Sequence, residues 1–290
     1  MNSKKITIYD VLLYCILGLL AFTMLFPFYS VIVMSISTGI DSLDVLGRLI
    51  PRKIDFTAYR FVFNNTFLLT GIKNTLIVVL IGVPLDMLLT TSTAYAISKK
   101  RLFMRSFFLN LIVFTMFFGG GLIPFYLLVT STLGLRDSLW AVILPSALNT
   151  FNVIITKNYF QSLPAEIEES AKIDGGNDIR IFWSIAIPIS LPILAVITLF
   201  TSVGRWNEWF NSMLFLTKSN GFTLQLVLRE IVVRTEILNA ELTARNMMNP
   251  TMSMSVKCAA TVITMAPIMC LYPFLQKYFV KGLLIGSIKS

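Results

Sequence analysis

Long uncharged apolar runs recur along the chain, separated by polar and basic connections. A helix that crosses a bilayer needs about 20 mostly apolar residues. Runs of that kind lie at Val11 to Ile40, Asn74 to Ser98 (interrupted only by Asp86), Ser106 to Leu135, Ser138 to Thr156, Ile181 to Gly204 and Cys258 to Gln276. They are too long for barrel strands and lack period-two alternation, so helix is the expected conformation. The pattern predicts an all-α, multi-pass membrane protein of about six transmembrane helices, residues 1–290 forming a single domain.

The runs are not uniform. Gly119-Gly120-Gly121 and Pro124 should loosen or break the third span in mid-membrane, because glycine and proline are the poorest helix formers. Pro188 and Pro192 fall near the start of the fifth span, and Pro267 and Pro273 in the sixth. These disruptions suit either moving parts or close helix packing.

Composition sharpens the class. Only 13% of the residues are charged, against about 25% in soluble domains, so lipid is the expected solvent. The net charge of +9 then reads as basic flanks beside spans rather than a nucleic-acid surface. Histidine is absent, which removes imidazole from any catalytic or metal-binding scheme. Cys15, Cys258 and Cys270 lie in apolar runs without metal-ligand spacing. No acid–base or nucleophile constellation is visible, and no enzyme, metal or cofactor is expected. Lys4 and Lys5 lead into an apolar stretch longer than a secretory h-region, without a small-residue cleavage site, which predicts a retained first span.

Lys and Arg divide evenly between the two sides, so orientation rests on the short connections. Lys99, Lys100, Arg101 and Arg105 crowd the connection after the second span, whereas the next short one holds only Arg136 beside Asp137. That contrast predicts both termini on the cytoplasmic side, with 41–68 and 213–255 outside.

Residues 162–192 are unlike a generic loop. Pro164 suits the first turn of a helix, where its missing N–H is no loss. Glu166, Glu168 and Glu169 follow in that turn, favourable against the helix dipole. Ile167, Ala171 and Ile173 supply apolar positions, and Asp174-Gly175-Gly176 should end the helix. Asn177 or Asp178 can cap a second helix rigidly joined to the fifth span. A short amphipathic helix projecting from a membrane span in this way can dock a partner and pass force to that span.

The segment 162–180 resembles the EAA loop of ABC importer permeases: E-A-A, three residues, glycine, then isoleucine and proline in the next span. Glu169-Ser170-Ala171 takes the triplet, with serine for the first alanine; Gly175 takes the glycine, and Ile185 and Pro188 the downstream pair. FFGGGLIPFYLL at 117–128, the run Arg205-Trp206-Asn207-Glu208-Trp209 and YPFLQKYFVKGLLIGSIK at 272–289 extend the likeness. Together they are similar to maltose-type carbohydrate permeases of the oligosaccharide and polysaccharide branch.

The resemblance implies a type I ABC importer permease in the bacterial plasma (inner) membrane. Its partners would be a second homologous permease, an ABC ATPase dimer, an external or periplasmic solute-binding protein, a sugar and membrane lipid, with no nucleic acid. It gives Glu168, Glu169, Ser170, Ala171, Asp174, Gly175, Gly176, Ile185 and Pro188 a role in coupling to the ATPase. It places Gln276, Lys277, Lys281, Gly282 and Gly286, in the cytoplasmic tail 276–290, at the ATPase interface. The chain has no G-x-x-x-x-G-K-[ST] phosphate loop, so ATP would be bound by partner subunits. Trp206, Asn207, Glu208 and Trp209, with Asp86, are candidates for the substrate path, having side chains of the kinds that hold sugars. Arg205 and Glu208, three apart, can meet on one helix face, while Asp86 can serve the path or bond a neighbouring helix. The same machine carrying a non-sugar solute, and a stand-alone secondary transporter built around its broken helix, are the alternatives.

Overall fold

The structure, a computed structural model, describes residues 7–37, 50, 53–64, 66–233 and 254–270. Its regular structure is helical, with one isolated antiparallel bridge between Ser37 and Ile54 among the described residues. By internal contacts the chain divides into two units: residues 1–66 with 228–266, and residues 67–227 with 267–290.

In the first unit, α1 (Ile8–Ser35) is opened by a reciprocal cap in which the Thr7 backbone N–H donates to Asp10 at 2.8 Å. At about 1.5 Å per residue its 28 residues exceed the ~30 Å thickness of a bilayer core. Its most apolar stretch is wholly exposed, as a surface facing lipid or another subunit must be. Asp55 starts α2 (Thr57–Phe63) by accepting from the Thr57 backbone N–H at 2.8 Å.

In the second unit the long helix α3 (Thr66–Ser98) begins eight residues before the expected second span and carries Pro84 and Asp86 within it. The third expected span is two helices, α4 (Arg105–Phe117) and α5 (Leu122–Leu127), the latter continuing through a π turn to Thr132. They meet at 111°. The glycine run makes that corner, with Gly120 and Gly121 at φ of 69° and 91°, a region open to glycine at little cost.

The fourth expected span, Ser138–Thr156, is not one helix. α6 (Trp140–Ile143) passes into a 3₁₀ turn at Leu144–Ser146, and α7 (Thr150–Ser162) restarts after a gap. Pro145 brings no N–H to the ladder, and Asn149 caps the restart by accepting from the Asn152 N–H at 3.1 Å. After α8 (Ala165–Ile173), α9 (Asp178–Ile189) runs through a π turn at Phe182–Ala186. It turns by 83° into α10 (Leu191–Trp206), followed by the short α11 (Phe210–Phe215). Residues 224–233 and Met254–Cys270 are also helical. The final six residues of the sixth expected span lie outside the described residues.

Among the described residues, three apolar clusters hold this unit together. Ala94, Tyr95, Val153, Phe160, Phe182 and Ala186 join α3, α7 and α9. Val78, Val142, Ile143 and Leu216 pack α3 against α6. Phe215 stacks on Tyr126 and meets Phe125 edge-on, packing α11 on α5. The first cluster lies under the 162–190 segment, and the second lies beside the buried charges described next.

Candidate functional site

The 162–190 segment is a helix, a tight glycine turn and a second helix. Pro164 stands at the N-cap of α8, one position earlier than the first turn; Glu166 and Glu168 lie within that turn, and Glu169 just beyond it. At the other end Gly176 N–H donates to the Ala171 carbonyl at 2.8 Å and Gly175 N–H to the Lys172 carbonyl at 3.0 Å. This is the Schellman pair of bonds, closed by Gly175 at φ 78°. A β-carbon on Gly176 would lie 2.7 Å from the Ala171 oxygen, so both glycines are demanded by the turn. Of the two capping candidates Asn177 serves, accepting from Arg180 N–H at 2.8 Å.

No residue of α8 is buried. Ile173 is 86% exposed and Ile167 37%, beside exposed Glu169 and Ser170, so the helix offers apolar and acidic groups outward. It is also tethered. Glu168 pairs with Lys99, whose ammonium sits 3.9 Å above the Tyr95 ring, and Asp178 pairs with Arg101. The basic cluster after α3 therefore holds α8 at Glu168 and the start of α9 at Asp178, so cluster and loop lie together.

Beyond the turn, Ile185 is half-buried in the π turn and Pro188 is exposed. Pro188 and Pro192 supply no N–H to the carbonyls of Ser184 and Pro188, and the chain bends between them at Ser190. The rigid join to the fifth span expected from the sequence is therefore replaced by an 83° corner. Ser190 is fully buried there, its hydroxyl without a hydrogen-bond partner among the described residues.

A second constellation lies deeper, on α3, α6, α7 and α10. Arg205 does not meet Glu208. It reaches across to Asp86, 119 residues away, with Nε and Nη2 donating to the two carboxylate oxygens at 2.8 and 2.6 Å. Its remaining N–H groups donate to the Val142 and Ile143 carbonyls at 2.9 and 2.8 Å and to Ser146 Oγ at 2.8 Å. The guanidinium thus satisfies carbonyls at the interrupted end of α6 while neutralising a buried carboxylate. Gly82 makes the approach possible, since a β-carbon there would lie 3.1 Å from Arg205 Nε.

This pair forms one wall of a polar cavity of about 200 Å³. Thr90, Asn149, Asn152 and Glu208 contribute polar groups, and Phe200 an exposed ring. Of the five residues expected on a substrate path, Asp86 and Glu208 line this cavity. Trp206 is buried, Asn207 accepts from Gln225 at 3.1 Å, and Trp209 packs edge-on against Phe210; none of the three lines it. Glu208 lies beyond the helix end, its two oxygens accepting from Asn211 N at 2.8 Å and Nδ2 at 3.2 Å. Asn149, Asn152 and Thr201 went unnoticed in the sequence, although two asparagines beside a proline-broken span are a legible hint of a wet lining. The tail residues Gln276, Lys277, Lys281, Gly282 and Gly286 lie outside the described residues.

Comparison with known proteins agrees with this architecture. Residues 76–285 match the family described as "Binding-protein-dependent transport system inner membrane component". Protein LplC of Bacillus subtilis (strain 168) is 39% identical over 100% of this chain and 97% of its own. The polygalacturonan/rhamnogalacturonan transport system permease protein YtcP of the same organism is 39% identical over 99% and 100%. Among solved structures, a chain of a bacterial ABC transporter involved in the import of the acidic polysaccharide alginate superposes with a TM-score of 0.82 at 35% identity. That match covers 96% of this chain and 99% of the other.

Proposed function

The chain belongs to the family of binding-protein-dependent transport system inner membrane components, and from that premise we propose that it is one permease of an ATP-driven importer of oligosaccharides or polysaccharide fragments. A second permease, an ATPase dimer and an external binding protein complete the machine. Sugar as the cargo is supported by the full-length similarity to a permease named for polygalacturonan/rhamnogalacturonan transport and by the hydroxyl and amide lining of the cavity.

The single observation that carries the mechanism is the outward face of α8, exposed on a helix tied down through Lys99–Glu168, while the start of α9 is tied through Arg101–Asp178. In this reading the ATPase grips Ile167, Glu169, Ser170 and Ile173. Movement passes through the two ion pairs to the end of α3, and through α9 and the Ser190 corner to α10. Those are the two helices that carry Asp86 and Arg205, so displacement of the loop works directly on the cavity walls and alternates their access. Glu168, Ala171, Asp174, Gly175, Gly176, Ile185 and Pro188 shape and aim the loop rather than touch the motor.

The whole chain acts as one permease domain of about six passes with both termini inside. The pairing of loop and basic cluster supports that orientation, since short basic connections face the cytoplasm. The tail, through Gln276, Lys277, Lys281, Gly282 and Gly286, gives the ATPase a second contact.

Glu169→Lys reverses charge on the docking face, and Gly175→Pro asks proline for a φ of 78° that its ring forbids. Each variant should insert normally yet lose substrate-driven ATP hydrolysis and uptake. Wild-type transport in both would refute the coupling role.

A further inference from the structure

The cavity on α3, α7 and α10 carries information about which sugar it accepts. Among the described residues its lining contains one cation, Arg205. A guanidinium has five N–H donors, and all five are spent: two on Asp86, two on the Val142 and Ile143 carbonyls and one on Ser146. Arg205 therefore has nothing left to offer an incoming carboxylate, and its charge is already matched by Asp86. Glu208 differs. Each of its oxygens takes one hydrogen bond from Asn211 and retains acceptor capacity, and no cation pairs with it among the described residues. The rest of the lining is neutral: the Thr90 hydroxyl, the Asn149 and Asn152 amides and the Phe200 ring.

We propose that this cavity selects neutral saccharides, and that Glu208 is the group that turns uronates away. The proposal rests on the sugar-importer reading and deepens it. A volume of about 200 Å³ lies below the ~300–1,000 Å³ of sites for drug-sized ligands, so the cavity takes a chain roughly one ring at a time. A neutral ring presents hydroxyl donors to the Glu208 oxygens and C–H faces to Phe200. The same ring oxidised at C6 brings a carboxylate toward an uncompensated like charge. At a separation of ~6 Å and an effective dielectric of ~20, that repulsion weakens binding by about tenfold to a hundredfold. The two sugars differ at one carbon, so the discrimination is electrostatic, and salt should weaken it. Two of the proteins that this chain resembles are named for acidic polysaccharides; in this chain, the described cavity lacks a free cation for that cargo.

The test is equilibrium binding to the complete permease–ATPase complex in nanodiscs, without the binding protein. The probes are paired neutral and uronate trisaccharides: galactose with galacturonate, glucose with glucuronate, mannose with mannuronate. Wild type should bind the neutral member of its preferred pair about tenfold or more tightly than the uronate at low salt, and the ratio should shrink as salt rises. Glu208→Gln should bring the ratio toward one. Uronate binding equal to or tighter than neutral binding in wild type would overturn the proposal and leave the sugar reading intact. So would an unchanged ratio in a correctly assembled Glu208→Gln complex. The wild-type ratio and its salt dependence decide the matter if that variant does not assemble. Binding of neither member of any pair would overturn both the proposal and the sugar reading.

Discussion

Arg205→Met removes the guanidinium while keeping much of the side chain's bulk, and its cost can be worked from the contacts. Asp86 is 6% exposed and Arg205 5%. Without Arg205 the Asp86 carboxylate loses both of its hydrogen bonds from the guanidinium, and the Val142 and Ile143 carbonyls each lose a donor. Breaking a buried pair by removing one partner costs about 3–5 kcal/mol, because a charge is left uncompensated. A lost bond to a buried carbonyl adds about 1–3 kcal/mol where no water replaces it. Arg205→Met should therefore destabilise the protein by about 3–5 kcal/mol or more. Replacing both partners removes the stranded charge, so Asp86→Leu with Arg205→Met should cost at least ~2 kcal/mol less than the sum of the single changes. Arg205→Lys keeps the charge but offers three donors in place of five, and should rescue only in part. Reversible unfolding of the detergent-solubilised protein in a denaturing-detergent titration measures all four variants. A loss below ~0.5 kcal/mol for Arg205→Met, or strict additivity in the double variant, would refute this account of the pair.

Three further outcomes follow from the geometry. Asp137, at φ 57°, accepts from the Thr217 N–H at 2.6 Å, the Thr217 hydroxyl at 2.8 Å and the Lys218 N–H at 3.2 Å. These bonds, the Thr217 backbone first, hold its carboxyl below the usual carboxylate range. A depressed folded pKa stabilises above the unfolded value and is lost as pH falls through the folded one, so wild type should lose melting temperature on that acid limb and Asp137→Asn should show less of the dependence. Gly176→Ala forces a β-carbon against the Ala171 oxygen, and should disorder the α8–α9 turn, seen as faster proteolysis there, with uptake impaired in proportion. Ser190→Ala deletes a buried hydroxyl that has no partner among the described residues, and should leave thermal stability equal to wild type or raised by about 1 kcal/mol.

The loop was legible residue by residue because its signals are local. Two glycines at the end and an asparagine after them act through bonds spanning a few positions and stand where that chemistry places them, while Pro164 falls at the N-cap, one position before the turn expected for it. The corner at Gly119–Gly121 was legible for the same reason. The Asp86–Arg205 pair was not. Helix-face reasoning sees partners three or four residues away, and the true partner of Arg205 lies 119 residues off, across a packed interface. The split of the fourth span was also missed, since a single Pro145 in an apolar run is compatible with a kinked helix as well as a broken one. The corner at Ser190 exceeded the kink implied by its two prolines, and the π turn at Phe182–Ala186 that precedes them left no mark in the residue pattern.

A single cysteine at Ser170, in a chain whose Cys15, Cys258 and Cys270 have been replaced, tests the central claim most directly. The position is exposed on α8, so in the assembled importer it should cross-link to the ATPase subunit. In sealed cells it should be shielded from a membrane-impermeant thiol reagent added outside. Rapid labelling from outside, or a fully active complex in which that cysteine never approaches the ATPase, would contradict the account.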